Sequence, residues 1–310
     1  MKITGDYGHH YAGGIGIFGQ KGSRGKFCYT LLDNDFRIIK QGQLERVKEE
    51  NIRETRVLYN TIGMRDNEVY ILGKACCVEP NEEYRQYKFE QTGVKWDYDM
   101  SRVFLYYSPD ITKEEIRPVG FICSKFASRG WLEAVDCCYD SNGDMLFLVS
   151  EENVHFAFMR DKFFPEVPLE TVLKVCRYSK GKLVEETIVD RYLQEGDMKV
   201  TYWGYFHTAA DGAVYLVWSK QNNLWDKPGQ YRNGEYPEAY NAATYLNKVD
   251  ALGEEPIKIF DVAGRIFGNK TRIGALPGDI IDVYSCREDT AIYYSRCDLR
   301  EEIEKAKIKQ

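Results

Sequence analysis

The sequence predicts an all-β fold made of repeated four-stranded units, and three observations predict it. The first is a β-hairpin signal between Tyr202 and Ser219, where two apolar runs flank the turn Asp211-Gly212. The second is its recurrence. Val57 to Lys74 turns at Arg65-Asp66-Asn67, Glu133 to Ser150 at Asp140-Ser141-Asn142-Gly143, and Asn269 to Cys286 at Pro277-Gly278. The third is composition: 23 Tyr stand against 6 Met, and aromatic side chains suit a pleated surface.

Taken in order, residues 1 to 45 carry short β-like runs at Ala12 to Gln20, Lys26 to Leu32 and Arg37 to Gln43, parted by turn-forming residues. A charged link follows from Arg46 to Arg56. The first full unit then reads as strands at Tyr59 to Met64, Glu68 to Cys76, Arg102 to Ser108 and Ile116 to Ile122. The second has Glu133 to Tyr139, Asp144 to Ser150, Thr171 to Tyr178 and Glu185 to Tyr192. The third has Tyr202 to Thr208, Ala213 to Lys220, Ala243 to Val249 and Pro256 to Phe260. A shorter last unit has Thr271 to Ala275, Asp279 to Cys286 and Thr290 to Cys297, before a charged tail at Leu299 to Lys309 that reads as a short helix or a frayed end.

Four-stranded units repeating every ~60–70 residues are the signature of β-propeller blades. The alternative is a β-sandwich with internal pseudo-repetition. With the opening segment counted, the chain holds roughly five blades, and residues 1–310 read as one propeller domain. Either the termini complete each other's blade, or the chain is part of a larger ring.

The chain has 44% hydrophobic residues, enough for a large core. Its net charge of -6 comes without a dense basic stretch, so no nucleic-acid partner is expected. No run approaches the ~20 apolar residues of a spanning helix, and no leader pattern opens the sequence, so no membrane partner and a cytoplasmic location are expected. The 9 Cys include the adjacent pairs Cys76-Cys77 and Cys137-Cys138, whose side chains would point to opposite faces of a strand. Reduced, buried thiols are the reading; no Cys/His spacing resembles a zinc site, and no metal or cofactor is expected.

Long insertions all fall between second and third strands: Cys77 to Ser101, Glu151 to Glu170 and Gln221 to Asn241. In a propeller these loops share one face with the connections between blades, and long loops in compact domains are commonly functional. The first carries Tyr84, Arg85, Tyr87, Lys88 and Trp96; the second His155, Phe156, Arg160 and Lys162; the third Trp225, Lys227, Tyr231, Arg232, Tyr236 and Tyr240. Flat rings beside cations suit a sugar, so a carbohydrate-binding rim is expected; the competing reading has the rings packing the loops onto the blades. Among the histidines, His10 and His207 are candidates for proton transfer, with His155 weighed as structural. Arg56, Arg272, Trp131 and Glu133 lie where inner strands begin, facing the central funnel. Glu133 and Asp136 make an obvious carboxylate pair, but residues three apart in a regular strand point to opposite faces, so the pair is set aside.

The stretch Gly5-Asp6-Tyr7-Gly8-His9-His10 and the hairpin from Phe206 to Trp218 resemble the propeller families grouped as BNR-repeat-like, which include ulvan-type polysaccharide lyases and related rhamnosidases. The resemblance implies an enzyme cleaving glycosidic bonds in uronate-containing oligosaccharides or polysaccharides, by elimination or by hydrolysis. It implies His10 or His207 as base, Tyr11 or Tyr205 as acid, and Arg56 or Arg272 as the clamp on the uronate carboxylate. His9, Trp131, Glu133, Trp96, Arg160, Trp225 and Arg232 would then contact substrate. The competing class is a non-catalytic glycan- or protein-binding propeller.

Overall fold

The computed structural model describes residues 15–19, 27–33, 35, 37–44, 56–94, 98–194, 199–223, 240–262, 278–286 and 292–309. They form an all-β structure of antiparallel sheets in chain order. The first sheet holds β1 (Ile15–Gly19), β2 (Phe27–Leu32) and β3 (Ile38–Leu44). The second runs β4 (Arg56–Arg65), β5 (Glu68–Val78) with the short β6 (Tyr98–Asp99) on its end, β7 (Arg102–Ser108) and β8 (Arg117–Ser124). The third is β9 (Trp131–Tyr139), β10 (Met145–Glu152), β11 (Glu170–Ser179) and β12 (Lys182–Leu193). The fourth is β13 (Lys199–Thr208), β14 (Val214–Asn223), β15 (Tyr240–Lys248) and β16 (Ile257–Val262). The last pairs β17 (Ile280–Cys286) with β18 (Ile292–Asp298), followed by a helix over Leu299–Lys309.

The three complete units thus carry four successive antiparallel strands, as the recurring hairpins predict. Their turns use the residues the geometry demands: Gly143 and Gly212 sit at φ of 87° and 88°, where a side chain is strained. The expected inner strand at Thr271 to Ala275 lies outside the described residues, as does the link from Arg46 up to its last residue, Arg56, which opens β4. Two features were not anticipated. The first insertion contains helix α1 (Glu82–Thr92) and the second helix α2 (Ala157–Phe163).

Strand alternation explains how the sheets stack. On β5, Val69, Ile71 and Ala75 enter a core with Tyr29, Leu31 and Leu44 of the first sheet. Their neighbours Tyr70 and Leu72 point the other way, into a core with Met145, Phe147 and Val149 of β10. On β10, Leu146 and Leu148 in turn meet Val200, Tyr202 and Trp218 of the fourth sheet, and Val217 and Leu246 of that sheet meet Ile281 and Leu299 of the last segment. Such two-sided strands read as continuous apolar runs because both faces are covered.

The cysteines follow the same rule. Cys137 packs against the core before its sheet and Cys138 against the core after it. Cys77, Cys123, Cys137, Cys138, Cys176 and Cys297 are thiols outside any disulfide. Burial pushes Cys77 up to about 11 and Cys176 up to about 12, which keeps them protonated and unreactive.

Leu148 is fully buried between the third and fourth sheets. Leu148→Ala is expected to cost about 2–5 kcal/mol of unfolding free energy. Denaturant melts with an unchanged slope would check it; a loss below about 1 kcal/mol would contradict the stacking described.

Candidate functional site

One end of the stacked sheets gathers charged side chains from three of them. On it lie the starts of β9 and β13 and the ends of β5 and β10, the rim onto which the insertions open. Lys74 Nζ of β5 lies 2.6 Å from Glu133 Oε1 of β9 and 4.5 Å from the centre of the Trp131 ring. Trp131 Nε1 donates to the same Glu133 oxygen at 2.6 Å. The Trp131 ring also stacks on the imidazole of His155, with centroids 4.4 Å apart and planes at 21°. His155 Nδ1 is 2.7 Å from Glu152 Oε2 at the end of β10, and Lys199 Nζ at the start of β13 reaches that oxygen at 2.8 Å. Lys199 also donates to the His155 carbonyl at 2.9 Å.

Register explains the convergence. Trp131 is opposite Glu152 and Glu133 opposite Ser150, so both carboxylates stand on one face of the β9–β10 hairpin as diagonal neighbours. Each carboxylate has its own lysine. Burial raises the Glu152 pKa, but the charges of Lys199 and His155 and their hydrogen bonds outweigh it and hold the carboxyl below its ordinary value. The lysines are the inner layer: the side chains of Lys74 and Lys199 are 3% and 9% exposed, against 22% for Glu133 and 19% for His155. A ligand on this rim therefore meets the Glu133 carboxylate and the His155 imidazole first.

The geometry corrects the sequence reading of Glu133 and Asp136. A register shift between Leu148 and Val149 leaves Val135 as an extra residue on β9, so Asp136 is opposite Leu148 and shares a face with Glu133. Asp136 is nevertheless committed elsewhere, its Oδ2 accepting the Phe206 amide of β13 at 2.8 Å. The partner of Glu133 on this face is Glu152.

Other candidates are placed apart from the cluster. His207 is eight residues along β13 from Lys199, roughly 26 Å away in an extended strand. Its Nε2 bonds the Gly278 carbonyl at 2.7 Å, tying the turn end of β13 to the last segment. Tyr205 is buried mid-strand, where desolvation and the charge of Asp136 push its phenol well above the ordinary range. Arg160 lies on α2 in a local pair with Asp161 at 2.6 Å. Arg56 opens β4 opposite Cys76, on the same rim as Trp131 and Lys199. His9, His10, Tyr11, Trp96, Trp225, Arg232 and Arg272 lie outside the described residues.

The insertion aromatics correct the expectation of an open sugar-binding rim in part. Tyr84 packs on Phe163 and Phe164 at 4.6 and 5.6 Å, and Tyr87 on Phe158 and Phe163 at 5.9 and 5.4 Å. With Phe156, Met159 and Leu169 they form a small core joining α1 to α2. Lys88 is buried against Glu79 at 3.4 Å. These side chains hold the two insertions together and do not offer rings to a ligand. At the opposite rim, a cleft of about 280 Å³ lies between β11, β12 and the turn after β15, lined by Arg177, Glu185 and Asp250. Its arginine is already ringed by carboxylates, with Asp140 and Glu185 in contact. Among the described residues, no group of three His, Cys, Asp or Glu is placed to hold a metal, and no helix is long and apolar enough to cross a membrane.

No family model matches the chain, and no curated protein matches it. Among solved structures, it is similar to the Penicillium chrysogenum alpha-L-arabinanase complexed with arabinobiose, at 9% identity and a TM-score of 0.46 over 92% of this chain and 77% of that one. It is also similar to a Pseudomonas brassicacearum lignostilbene dioxygenase, at 11% identity and a TM-score of 0.36 over 84% of this chain and 46% of that one. A prolyl endopeptidase gives 8% identity and 0.35 over 93% and 38%. The chain spans less than half the length of the last two. Likeness at this level carries no argument about activity.

The ion pairs of the cluster make a definite prediction. Lys199→Met removes the ammonium beside Glu152 and should raise that carboxyl's pKa, as read by carbon NMR. At pH 7 the variant should be less stable by about 3 kcal/mol, the lower end for a buried pair broken on one side, since His155 remains. Because the Glu152 pKa is depressed in the folded state, its stabilisation is present above the ordinary carboxylate value and is lost as pH falls through the lower folded one. The deficit should therefore shrink below about pH 4; equal stabilities at pH 7 would remove the pairing.

Proposed function

We propose that the stacked sheets are blades of one β-propeller domain and that the protein hydrolyses glycosidic bonds in uronate-containing oligosaccharides at the rim of Trp131. The observation that carries this reading is the pair of lysine-held carboxylates, Glu133 and Glu152, bracketing the stacked Trp131–His155 rings. Glycoside hydrolysis asks for one group that gives a proton to the leaving oxygen and another that takes one from water.

Glu133 fits the second task. The Lys74 ammonium and the Trp131 N–H both bond its Oε1 and fix its plane. His155 fits the first: Glu152 at 2.7 Å and the Lys199 ammonium at 3.3 Å both meet its Nδ1 and orient the ring, and Nε2 is the atom proposed to give the proton. In the step proposed, Glu133 takes a proton from water as the water oxygen bonds the anomeric carbon. The bond from that carbon to the glycosidic oxygen breaks, and the oxygen takes the His155 proton. Arg56, at the start of β4 on the same rim, is the proposed clamp for a uronate carboxylate. His9, Trp96, Trp225, Arg232 and Arg272 are proposed further contacts from the rest of the rim, and His10 with Tyr11 is the proposed base and acid if cleavage is by elimination.

A second reading is a non-catalytic glycan-binding propeller. It is favoured by one observation: the charged groups of the cluster are already paired with one another, Glu133 with Lys74 and Glu152 with Lys199 and His155. A binding module needs no proton transfer. The two readings part on one assay with a panel of uronate-containing oligosaccharides, following released reducing ends and the ultraviolet absorbance of an unsaturated uronate.

Reducing ends without new absorbance are expected. Glu133→Gln and His155→Ala should each lower kcat by about 10²–10⁴-fold while the fold is kept. Full activity in both variants would remove this site, new absorbance would assign the elimination, and binding without turnover would leave the scaffold.

A further inference from the structure

His155 is held at its ring by Glu152 and at its backbone by a residue outside its own insertion. Its amide donates to the carbonyl of Arg129 at 3.1 Å. Arg129 belongs to the short connection between β8 and β9 and adopts a left-handed conformation, φ 55° and ψ 44°. A non-glycine residue there is uncommon and persists when its surroundings over-determine it.

The surroundings do so. Arg129 Nε donates to Glu79 Oε1 at 3.0 Å, and the Glu79 side chain is completely buried. The guanidinium also bonds the Phe126 carbonyl and lies 3.9 Å from the centre of the Phe126 ring and 5.3 Å from that of Tyr84 on α1. Glu79 is itself shared with the Asn81 amide at 3.0 Å and Lys88 at 3.4 Å, so the pair anchors the first insertion. The same connection backs onto the turn that carries His155. Ser128 Oγ donates to the Asn153 carbonyl at 2.6 Å, and a Cβ on Gly130 would fall 2.0 Å from the Glu152 carbonyl oxygen.

We infer that Arg129, gripped by Glu79, is a positioning residue that sets His155 against Glu152 and Trp131 and couples the first insertion to the site. This rests on the reading of His155 as the proton donor. The guanidinium fork fixes the turn; the turn's carbonyl fixes the height of the His155 backbone; and Glu152 then meets the ring from the neighbouring strand end. A purely structural arginine would stabilise the connection without affecting the imidazole.

The experiment compares wild type with Arg129→Gly, which keeps the left-handed backbone and deletes the guanidinium, and with Arg129→Lys. The readouts are kcat and KM on the oligosaccharide panel, the imidazole nitrogen shifts of His155 by NMR, and hydrogen exchange at its amide. Arg129→Gly should lower kcat by about 10- to 100-fold with KM little changed, since a small misplacement of a reacting group costs this much. It should also shift the His155 ring resonances and speed exchange at its amide, with Arg129→Lys lying between. Unchanged His155 shifts and exchange in a folded Arg129→Gly would overturn the inference. If wild type shows no turnover, the hydrolase reading fails, and the NMR and exchange readouts alone decide the inference. Should Arg129→Gly fail to fold, Arg129→Lys decides: wild-type shifts together with wild-type exchange would overturn it.

Discussion

Two-sided burial of the second strand in the second and third sheets is the constraint from which the rest follows. β5 and β10 have sheets on both faces, so odd and even positions feed different cores and neither face tolerates an unpaired polar group. Where the strands run out at the rim, the alternation continues into charged residues. Met145, Phe147 and Val149 are followed on their face by Glu151, and Leu146 and Leu148 by Ser150 and Glu152. Both glutamates are buried, so each has to find a cation: Lys125 and Lys174 for Glu151, Lys199 for Glu152. The polar rim is thus a consequence of extending a core pattern past the end of the core.

That origin accounts for the cost and the use of the site together. Buried ion pairs add little net stability over apolar packing, yet removing one partner is expensive. Charged groups held in this way are rigid and partly stripped of water, which favours binding or proton transfer. The pairs on the Glu151 side run from buried Lys174 out to the more exposed Glu186 and Lys125, and Lys174 is raised well above its ordinary pKa despite burial because the carboxylates of Glu151 and Glu186 surround it. The pairs on the Glu152 side meet Trp131 and His155 and remain partly open.

Much of the fold was legible, because hairpin turns and apolar runs are local signals. Asp211-Gly212 and Asn142-Gly143 marked turns that the backbone makes with positive φ at the glycines. The helices in the insertions were less so: α1 depends on Asn81, whose side chain accepts from the Tyr84 amide at 3.1 Å, and on Gly93 at φ 71°, short signals inside a stretch read for its rings. Of the site, Trp131 and Glu133 could be named because they open an inner strand. Lys74, Glu152 and Lys199 could not, since they meet across three sheets. The one available hint was two glutamates continuing the apolar run of β10. The bulge at Val135, which puts Glu133 and Asp136 on one face, left no mark in the sequence, and a regular period gave the opposite orientation.

His155 and His207 differ in where their strands place them. Weighed singly, a histidine in an insertion is more often structural than chemical, while His207, in a strand, looked better placed. Position within the strand separates the two. A first strand has one end at the rim and the other at its hairpin turn, and His207 occupies the turn end, eight residues from Lys199. His155 follows directly on β10, so its insertion begins where that strand's charged end emerges. The connection before β9 then reaches it through Arg129, and the core of α1 and α2 closes over the back of the same turn. A site of this kind is assembled at strand ends by three separate connections. The informative quantity in such a sequence is therefore the distance of a polar residue from the nearest hairpin turn, which says at which rim it will stand.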